Sequence, residues 1–400
     1  AASQARRMNS EISIAVFEKE EYISYAACGM PYAISKVVPS YNKLLAVDRE
    51  EFIKKKKISI FIHSEVLSID FENKNILVHQ NGDTIKYGYD KCVIATGAHA
   101  FLPPIKGIEA PNVFSLRKLK DSIKILEYIE QNKHSSAIII GGGFIGLEMA
   151  EAFHALGIDT TIIEKQESVA ATMSQDVQQI ISKELEEHSI EIKTNENISH
   201  IEYSDSNKES RVVTETGEYT AHMIIVSIGV RPATEFLKGS QIKRSENGAI
   251  IINSQSETNI PDVYAGGDCA TVNHLILDDH VYFPLGTTAN KQGRVAGLQS
   301  VGVHTEKFKG IVGTQLVKVF DMEIAKTGFN QSDAIKHGFS AITESVQWKS
   351  RAGYYPESEN IFVSITIDKE TRKIIGSEIA GRDGAALRID TIATAITAGM

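Results

Sequence analysis

Short apolar runs that end at glycine recur along the chain and predict buried parallel strands. The run 137–140 reads Ala-Ile-Ile-Ile and leads directly into three glycines. A continuous β-branched run of this kind is typical of a strand that is covered on both faces. The runs 91–97 and 223–229 also end at a glycine. The pattern therefore predicts an α/β protein built on parallel sheets.

One complete strand–helix–strand unit is predicted after residue 136. Gly141, Gly143 and Gly146 have G-x-G-x-x-G spacing, a helix is expected next, and a second strand follows at 160–163. In such a loop the first glycine turns the backbone, the second admits a pyrophosphate, and the third lets the helix pack on the strand. Free N–H groups at the helix start then bind phosphate. A tight turn in a core without a ligand is the alternative interpretation.

Glu164 ends the second strand of this unit and is the expected ligand of an adenosine ribose. A carboxylate at this place accepts hydrogen bonds from ribose hydroxyls and repels a 2′-phosphate, which favours NAD. Lys165 beside it keeps NADP as the alternative.

Two further acids follow strand-like runs. Glu18 ends the run 12–17, which follows a helical stretch at 1–8, and Asp268 follows Gly266-Gly267. By itself, an acid after a strand such as Glu18 is usually only a solvated strand end, and an aspartate that opens a helix, such as Asp268, is more often a plain N-cap. After residue 308 the pattern changes to alternating strands, which predicts an α+β terminal domain.

The totals narrow the class of protein. Four hundred residues predict two or three domains, and 42% hydrophobic with 23% charged residues is an ordinary globular composition. A net charge of −9 argues against nucleic acid or an anionic membrane as partner. No apolar run is long enough to span a bilayer, and three scattered cysteines favour the reducing cytoplasm. We assign no metal site.

Cys28 is the candidate redox residue. Cys92 and Cys269 are remote from it in sequence, and position 33, where a second sulfur is a possibility, is Ala33. The stretch 30–37 is predicted to be helical, and a helix N-terminus lowers the pKa of a cysteine. Cys28 as a small buried hydrophobe is the alternative, which is the interpretation we adopt for Cys92.

These segments together resemble the FAD-dependent pyridine nucleotide-disulfide oxidoreductases, and within them the single-cysteine branch. The matching segments are 24–32, 95–98, 141–146, 264–268, 289–294 and 354–356. Ser24-Tyr25-Ala26-Ala27-Cys28 is similar to the coenzyme A-disulfide and persulfide reductases, whereas the oxidases and peroxidases more often show Ser-Phe-Leu-Ser before the cysteine.

The resemblance implies a fold and an assembly. The expected fold is α/β, with two Rossmann-like dinucleotide-binding domains and a C-terminal α+β dimerisation domain in a homodimer. The expected divisions are an FAD-binding domain at 1–110 and 236–305, an NAD(P)H-binding domain at 111–235, and a dimerisation domain at 306–400. The family's first glycine fingerprint would lie before Ala1, and a further segment after Met400, so we expect both ends to be truncated.

The resemblance also implies an activity. Electrons are expected to pass from NADH, with NADPH as the alternative, through FAD to Cys28 and on to coenzyme A disulfide or a coenzyme A persulfide. Tyr355 is expected to reach the cysteine of the partner subunit and to protonate the departing thiolate. An NADH oxidase or peroxidase that uses a Cys28 sulfenate is the alternative, and a non-catalytic redox sensor is a third possibility.

The remaining site residues follow from the same resemblance. The expected cofactor contacts are Glu18, Val66, Ala95, Thr96, Gly97, Gly141, Gly143, Phe144, Ile145, Gly146, Glu164, Gly229, Gly267, Asp268 and Ala289. The expected substrate contacts are Gln4, Arg7, Ser24, Lys56 and Asn290. Three positions depart from the family pattern: Ala27 replaces an asparagine, Phe144 a tyrosine, and Arg351 a histidine.

Overall fold

The computed structural model of the chain describes residues 1–132 and 135–400. Its helices are α1 Ala2–Met8, α2 Met30–Ile34, α3 Arg49–Lys56, α4 Leu119–Asn132, α5 Phe144–Ala155, α6 Gln175–Glu187, α7 Gly286–Gln299, α8 Gln331–Lys336 and α9 Ala385–Thr397. Short 3₁₀ helices lie at Ala27–Gly29, Tyr41–Leu44 and Glu235–Leu237. Within the described residues, no helix combines the length and the apolar character that crossing a membrane requires.

The strands are short and numerous. In the first third they are β1 Ala15–Phe17, β2 Ser59–Phe61, β3 Ser64–Asp70, β4 Asn75–Gln80, β5 Asp83–Gly88, β6 Cys92–Ile94, β7 Ala98–Ala100 and β8 Val113–Ser115. The middle strands are β9 Ser136–Ile140, β10 Asp159–Ile163, β11 Glu191–Lys193, β12 Ile198–Ser204, β13 Glu209–Thr214, β14 Glu218–Ala221, β15 Met223–Val226 and β16 Val230–Pro232. The last are β17 Val263–Ala265, β18 Val272–His274, β19 Asp279–Val281, β20 Gln315–Val319, β21 Met322–Gly328, β22 Ala341–Lys349, β23 Asn360–Asp368 and β24 Ile374–Gly381.

The chain divides into two compact units, each built from separate stretches of sequence. Unit 1 comprises Ala1–Ala27, Asn42–His99 and Val230–Ile311. Unit 2 comprises Cys28–Tyr41, Ala100–Gly229 and Val312–Met400.

In unit 2 a five-stranded parallel sheet has the order β11-β10-β9-β15-β8. The central strand β9 is buried from position 137 to 140, so its isoleucines pack on both faces of the sheet. This confirms the buried strand, the helix after the glycine loop and the second strand that the pattern predicts. Counted from β9, the order 3-2-1-4 is that of a dinucleotide-binding fold.

A second sheet of unit 2, here called the terminal sheet, is antiparallel with the order β20-β21-β24-β23-β22. Ile379 on this sheet and Ile389 of α9 belong to one buried apolar cluster. The outer strand β22 is mostly exposed, and Trp348 on it is 75% exposed. The predicted α+β character of the C-terminal part is confirmed.

Unit 1 contains two short parallel pairs, β1 with β2 and β6 with β17. An antiparallel meander joins β3, β4 and β5. Asn81 and Gly82, which turn from β4 into β5, have φ angles of 52° and 88°, as a two-residue hairpin turn requires. The Asn-Gly hairpin is therefore confirmed.

Two elements are shorter than the sequence predicts. The strand expected over 12–17 begins only at Ala15, because its partner β2 offers three residues for pairing. The helix expected over 30–37 ends at Ile34, since Lys36 has a left-handed φ of 64° that stops helical hydrogen bonding.

Candidate active site

The glycine loop joins β9 to α5 at the carboxyl end of the central strand. The Gly141 N–H donates to the Ile163 carbonyl at 2.9 Å, and Gly143 is the N-cap of α5. Gly143 is exposed, and beyond its chain neighbours no described heavy atom lies within 4 Å of where a Cβ would stand. The loop and the start of α5 thus leave room for a pyrophosphate against backbone N–H groups.

Glu164 ties this loop to the end of β10. Its Oε2 accepts a hydrogen bond from the Gly142 N–H at 2.7 Å, and its Oε1 accepts one from the Gln166 N–H at 2.8 Å. The carboxylate is half-buried and lies next to the loop. The 2′-phosphate of a nucleotide bound at this place would lie close to the Glu164 carboxylate, and like charges repel each other.

In unit 1, Glu18 repeats the same local geometry after β1. Its Oε1 accepts a hydrogen bond from the N–H of Glu20, two residues on, at 2.8 Å. The backbone of Glu18 continues the pairing with β2 through a 2.8 Å bond from its N–H to the Phe61 carbonyl. The two strand-end glutamates, each in its own unit, therefore accept the same hydrogen bond from the backbone N–H two residues further along the chain.

A second glycine turn, this one in unit 1, follows β17. The Gly267 N–H donates to Gln292 Oε1 at 2.9 Å, which fixes the turn to α7. Ala289, one helical turn earlier, lies 3.6 Å from where a Cβ of Gly267 would stand. Asp268 next in sequence is half-buried. The turn thus brings accessible backbone and one carboxylate close to α7, and the carboxylate can accept hydrogen bonds from ligand hydroxyl groups.

Other predicted cofactor residues lie at strand and helix ends. Thr96 Oγ1 donates to the Ala233 carbonyl at 2.7 Å, and the Ala233 N–H donates to the Gly97 carbonyl at 2.9 Å, both in unit 1. Ala95 and Thr96 are exposed. The remaining cofactor residues are placed as follows: Val66 at a bulge in β3, Phe144 and Ile145 in the first turn of α5, and Gly229 exposed after β15. Asn290, predicted as a substrate contact, lies beside Ala289 in α7.

Cys28 lies in the 3₁₀ turn Ala27–Gly29 immediately before α2, and its side chain is exposed. The other two thiols have a different setting. Burial raises the pKa of Cys92 to about 12 and also raises the pKa of Cys269. Of the three thiols, Cys28 is therefore the one that solvent and a substrate can reach.

Residues that the sequence did not single out lie on α2 and α5. Tyr32, Ser35 and Glu148 line one cleft of unit 2. Burial raises the pKa of Glu148 to about 7, with a further contribution from the charge of Glu151. Burial also raises the pKa of Tyr32, as do the charges of Glu148, Glu151 and Cys28. The signal in the sequence was a pair of acidic residues three positions apart in a largely apolar helix.

Tyr355 lies in the turn after β22 of the terminal sheet. It is 56% exposed, and its neighbour Tyr354 is 90% exposed. The Arg351 guanidinium stands 5.9 Å from the Tyr355 ring centre and forms an ion pair with Asp383 at 2.6 Å. The tyrosine pair is therefore presented outward on a turn held by Arg351.

The predicted substrate residues of unit 1 lie on four segments, of which α7 carries Asn290. Gln4 and Arg7 are joined on α1 by a 2.7 Å hydrogen bond, and Arg6 of the same helix donates to the Lys56 carbonyl at 2.8 Å. Within the run 54–57, Lys56 is half-buried and the other lysines are exposed. The structure thus brings the ends of α1 and α3 together. Ser24 lies on another segment, where its carbonyl accepts a bond from the Ala46 N–H at 3.1 Å.

Two family models match nearly the whole chain. Residues 1–293 match the pyridine nucleotide-disulphide oxidoreductase family, and residues 314–400 match its dimerisation domain. The protein belongs to this family. It is an oxidoreductase that uses FAD and NAD(P)H, as the family does, and the terminal sheet belongs to the dimerisation domain.

Relatives within the family carry several activities. The chain is 36% identical over 400 residues to the NAD(P)H sulfur oxidoreductase (CoA-dependent) of Pyrococcus furiosus, covering 100% of this chain and 89% of the relative. It is 32% identical over 397 residues to the NADH oxidase of Methanocaldococcus jannaschii, and 31% identical over 397 residues to the coenzyme A disulfide reductase of Staphylococcus epidermidis, in each case covering 99% of this chain and 88% of the relative.

Among solved structures, the NAD-dependent persulfide reductase from A. fulgidus is similar throughout. The TM-score is 0.96 at 34% identity, over 100% of this chain and 74% of that one. The α/β fold with two dinucleotide-binding regions and a terminal dimerisation domain, expected from the sequence, is confirmed.

Proposed function

We propose that this flavoenzyme reduces coenzyme A disulfide or a coenzyme A persulfide with electrons from NADH. The observation that carries the proposal is the setting of Cys28, an exposed thiol at the start of α2, while burial raises the pKa of Cys92 and Cys269. Relatives named as CoA-dependent sulfur oxidoreductase and coenzyme A disulfide reductase support the substrate class.

The reaction at sulfur needs one nucleophile and one acid. The Cys28 thiolate attacks one sulfur of coenzyme A disulfide, a Cys28–coenzyme A disulfide bond forms, and one coenzyme A thiolate departs. Two electrons then cleave the mixed disulfide into the Cys28 thiolate and a second coenzyme A thiolate. Tyr355 of a second copy donates a proton to a departing thiolate, which makes it a better leaving group.

Bound FAD would supply two-electron transfer between the nicotinamide and sulfur. In our proposal Glu18, Gly267 and Asp268 hold FAD, together with Ala95, Thr96, Gly97, Val66 and Ala289. NADH lies on Gly141, Gly143 and Gly146, with Glu164 on its ribose and Phe144, Ile145 and Gly229 nearby. The proposed domains are those expected from the sequence: 1–110 with 236–305, 111–235, and 306–400.

Coenzyme A is proposed to bind near the junction of α1 and α3. Arg7 and Lys56 supply positive charge there, and coenzyme A carries three phosphate groups. Gln4, Ser24 and Asn290 complete the proposed contacts. We further propose a homodimer that works in the cytoplasm, where the three cysteines remain thiols.

The test is NADH consumption by the FAD-loaded chain without oxygen. We expect rapid oxidation of NADH with coenzyme A disulfide and release of two thiols for each NADH consumed. The Cys28→Ser variant should lose thiol release while NADH still reduces its flavin. Thiol release that continues in Cys28→Ser would overturn the proposal.

Mass spectrometry of the resting protein separates the proposal from an NADH oxidase or peroxidase. A coenzyme A adduct on the peptide that contains Cys28 supports disulfide reduction. An oxygen adduct on that peptide, with oxygen alone supporting the same rate of NADH oxidation, supports the oxidase instead.

A further inference from the structure

A pair of opposite charges is buried in the terminal sheet. Lys326 on β21 and Glu378 on β24 are cross-strand partners, 4% and 1% exposed. The Lys326 ammonium lies 3.6 Å from Glu378 Oε1 and 3.0 Å from Asp333 Oδ2. A buried ion pair gives little net stability compared with apolar packing. We therefore looked for a role of this pair other than stabilising the fold.

Both charges bind the backbone of one segment in the nucleotide-binding part of unit 2. The Ser174 N–H donates to both carboxylate oxygens of Glu378, at 3.1 Å and 3.0 Å. The Lys326 ammonium donates to the Thr172 carbonyl, and Asn330 Nδ2 lies 3.3 Å from the same oxygen. The terminal sheet therefore fixes the chain at Thr172 and Ser174.

The same segment supports the glycine loop. The Ala170 N–H donates to the Gly142 carbonyl at 2.8 Å, and Ala170 has a left-handed φ of 51°. Val169 is fully buried against Gly142, where a Cβ would stand 2.6 Å from Val169 Cγ1. Because Glu164 holds the Gly142 N–H, both sides of this residue are fixed, one by Glu164 and one by the segment 169–174.

We propose that Lys326 and Glu378 are positioning residues for the nucleotide: through Thr172 and Ser174 they hold the segment 169–174 that sets the glycine loop for NADH. The proposal rests on the assignment of NADH to that loop. Correct placement of backbone donors against a phosphate is sensitive to small displacements, so loosening this support should weaken NADH binding without changing the chemistry at sulfur.

A second ion-pair junction of unit 2 provides the control. Arg382 of the terminal domain binds Glu184 Oε2 at 3.2 Å and Asp321 Oδ2 at 3.0 Å. Glu184 is 4% exposed, which matches the burial of the first pair. Glu184 lies near the end of α6, whereas Ser174 is the N-cap of that helix. In the part of the chain that the structure describes, Arg382 makes no hydrogen bond to the segment 169–174.

Ser174 allows the hydrogen bond itself to be removed. Its φ of −64° is compatible with proline, so Ser174→Pro deletes the N–H that Glu378 accepts and leaves Lys326 and Glu378 in place. Ser174→Ala keeps that N–H and serves as its control. Glu378→Gln keeps an acceptor oxygen and removes the charge, as a milder variant of the same contact.

The experiment measures NADH affinity, the KM for NADH, kcat and Tm on the FAD-loaded full chain. We expect Ser174→Pro and Glu378→Gln to raise the KM and Kd for NADH about 3- to 30-fold with kcat within twofold. Ser174→Ala and Arg382→Met should leave the KM for NADH unchanged, although Arg382→Met lowers Tm.

Two results would overturn the positioning role: an unchanged Kd for NADH in both Ser174→Pro and Glu378→Gln, or an equal rise in Arg382→Met. A wrong assignment of NADH to the glycine loop would give a different result. In that case the Glu164→Ala variant would bind NADH as tightly as the wild-type chain does. If Ser174→Pro does not fold, the comparison of Glu378→Gln with Arg382→Met decides.

Discussion

Glu148 and Glu151 lie three residues apart on α5, and the charge of Glu151 adds to burial in raising the pKa of Glu148 to about 7. The two carboxylates differ in their partners. Glu151 binds the Lys318 ammonium at 2.6 Å and accepts a hydrogen bond from the Phe320 N–H at 3.0 Å. Glu151 is therefore ion-paired and hydrogen-bonded, whereas Glu148 takes up a proton near neutral pH.

The first prediction concerns stability against pH. The pKa of Glu148 in the unfolded chain is near 4.5, below its folded value, so the folded protein binds the proton more tightly. The contribution of protonated Glu148 to the free energy of unfolding is fully present below pH 4.5 and is lost as the pH rises through 7. Glu148→Gln should therefore exceed the wild type in stability by about 2 kcal/mol at pH 8 and lose that advantage toward pH 4.5, measured by urea unfolding.

Glu151→Gln is the companion variant for that experiment. Removing the charge of Glu151 should lower the pKa of Glu148 and shift the pH-dependent loss of stability toward lower pH. A difference between wild type and Glu148→Gln that stays constant from pH 4.5 to pH 8 would contradict the buried titration.

The second prediction concerns the choice of nucleotide. Glu164→Ala removes the proposed ribose acceptor and the charge that opposes a 2′-phosphate. The KM for NADH should rise at least about tenfold, and the preference for NADH over NADPH should shrink. Glu167→Ala removes an exposed charge three residues away and should leave both KM values unchanged. A Glu164→Ala variant with undiminished preference for NADH would count against this role.

The third prediction concerns the tyrosine pair. Tyr355→Phe removes the proposed acid and should lower kcat with coenzyme A disulfide by about 10²-fold. Flavin reduction by NADH, followed in a stopped-flow instrument, should keep its rate because it does not involve the departing thiolate. Tyr354→Phe is the matched control and should behave as wild type. Equal losses in both variants would indicate a structural role for the turn.

The fourth prediction concerns the lysine run of α3. Lys56→Ala should raise the KM for coenzyme A disulfide about tenfold at low salt, with a smaller effect in 1 M salt. Lys55 is ion-paired with Glu51 on the exposed face of the same helix, so Lys55→Ala should leave this KM unchanged. Matching effects of the two substitutions would reduce the run to a solvated charged surface.

The sequence predicted the elements whose evidence is local. The strand at 137–140, the glycine loop and the Asn81–Gly82 turn each follow from neighbouring residues, because burial on both faces and a positive φ restrict which side chains are allowed. The family resemblance then supplied the cofactors and the terminal dimerisation domain.

The sequence pattern did not predict contacts between residues that are far apart along the chain. Glu378 accepts a hydrogen bond from the backbone N–H of Ser174, which is 204 positions away. Such a contact cannot be predicted from residue type, because almost every residue has the same backbone N–H group. The pKa of Glu148 likewise depends on burial between α2 and α5, which periodicity does not give. The end of α2 was also missed, because a left-handed φ at a lysine has no signature in the sequence.

The exposed strand β22 carries a residue whose fluorescence depends on its exposure to solvent. Trp348 is the single tryptophan of the sequence and is 75% exposed in the lone chain. An open edge strand with large apolar side chains is also an aggregation hazard until something covers it. A second copy that pairs along β22 in the proposed homodimer would bury Trp348 and shift its emission spectrum to the blue, so a dilution series read by fluorescence would then measure how tightly the subunits associate.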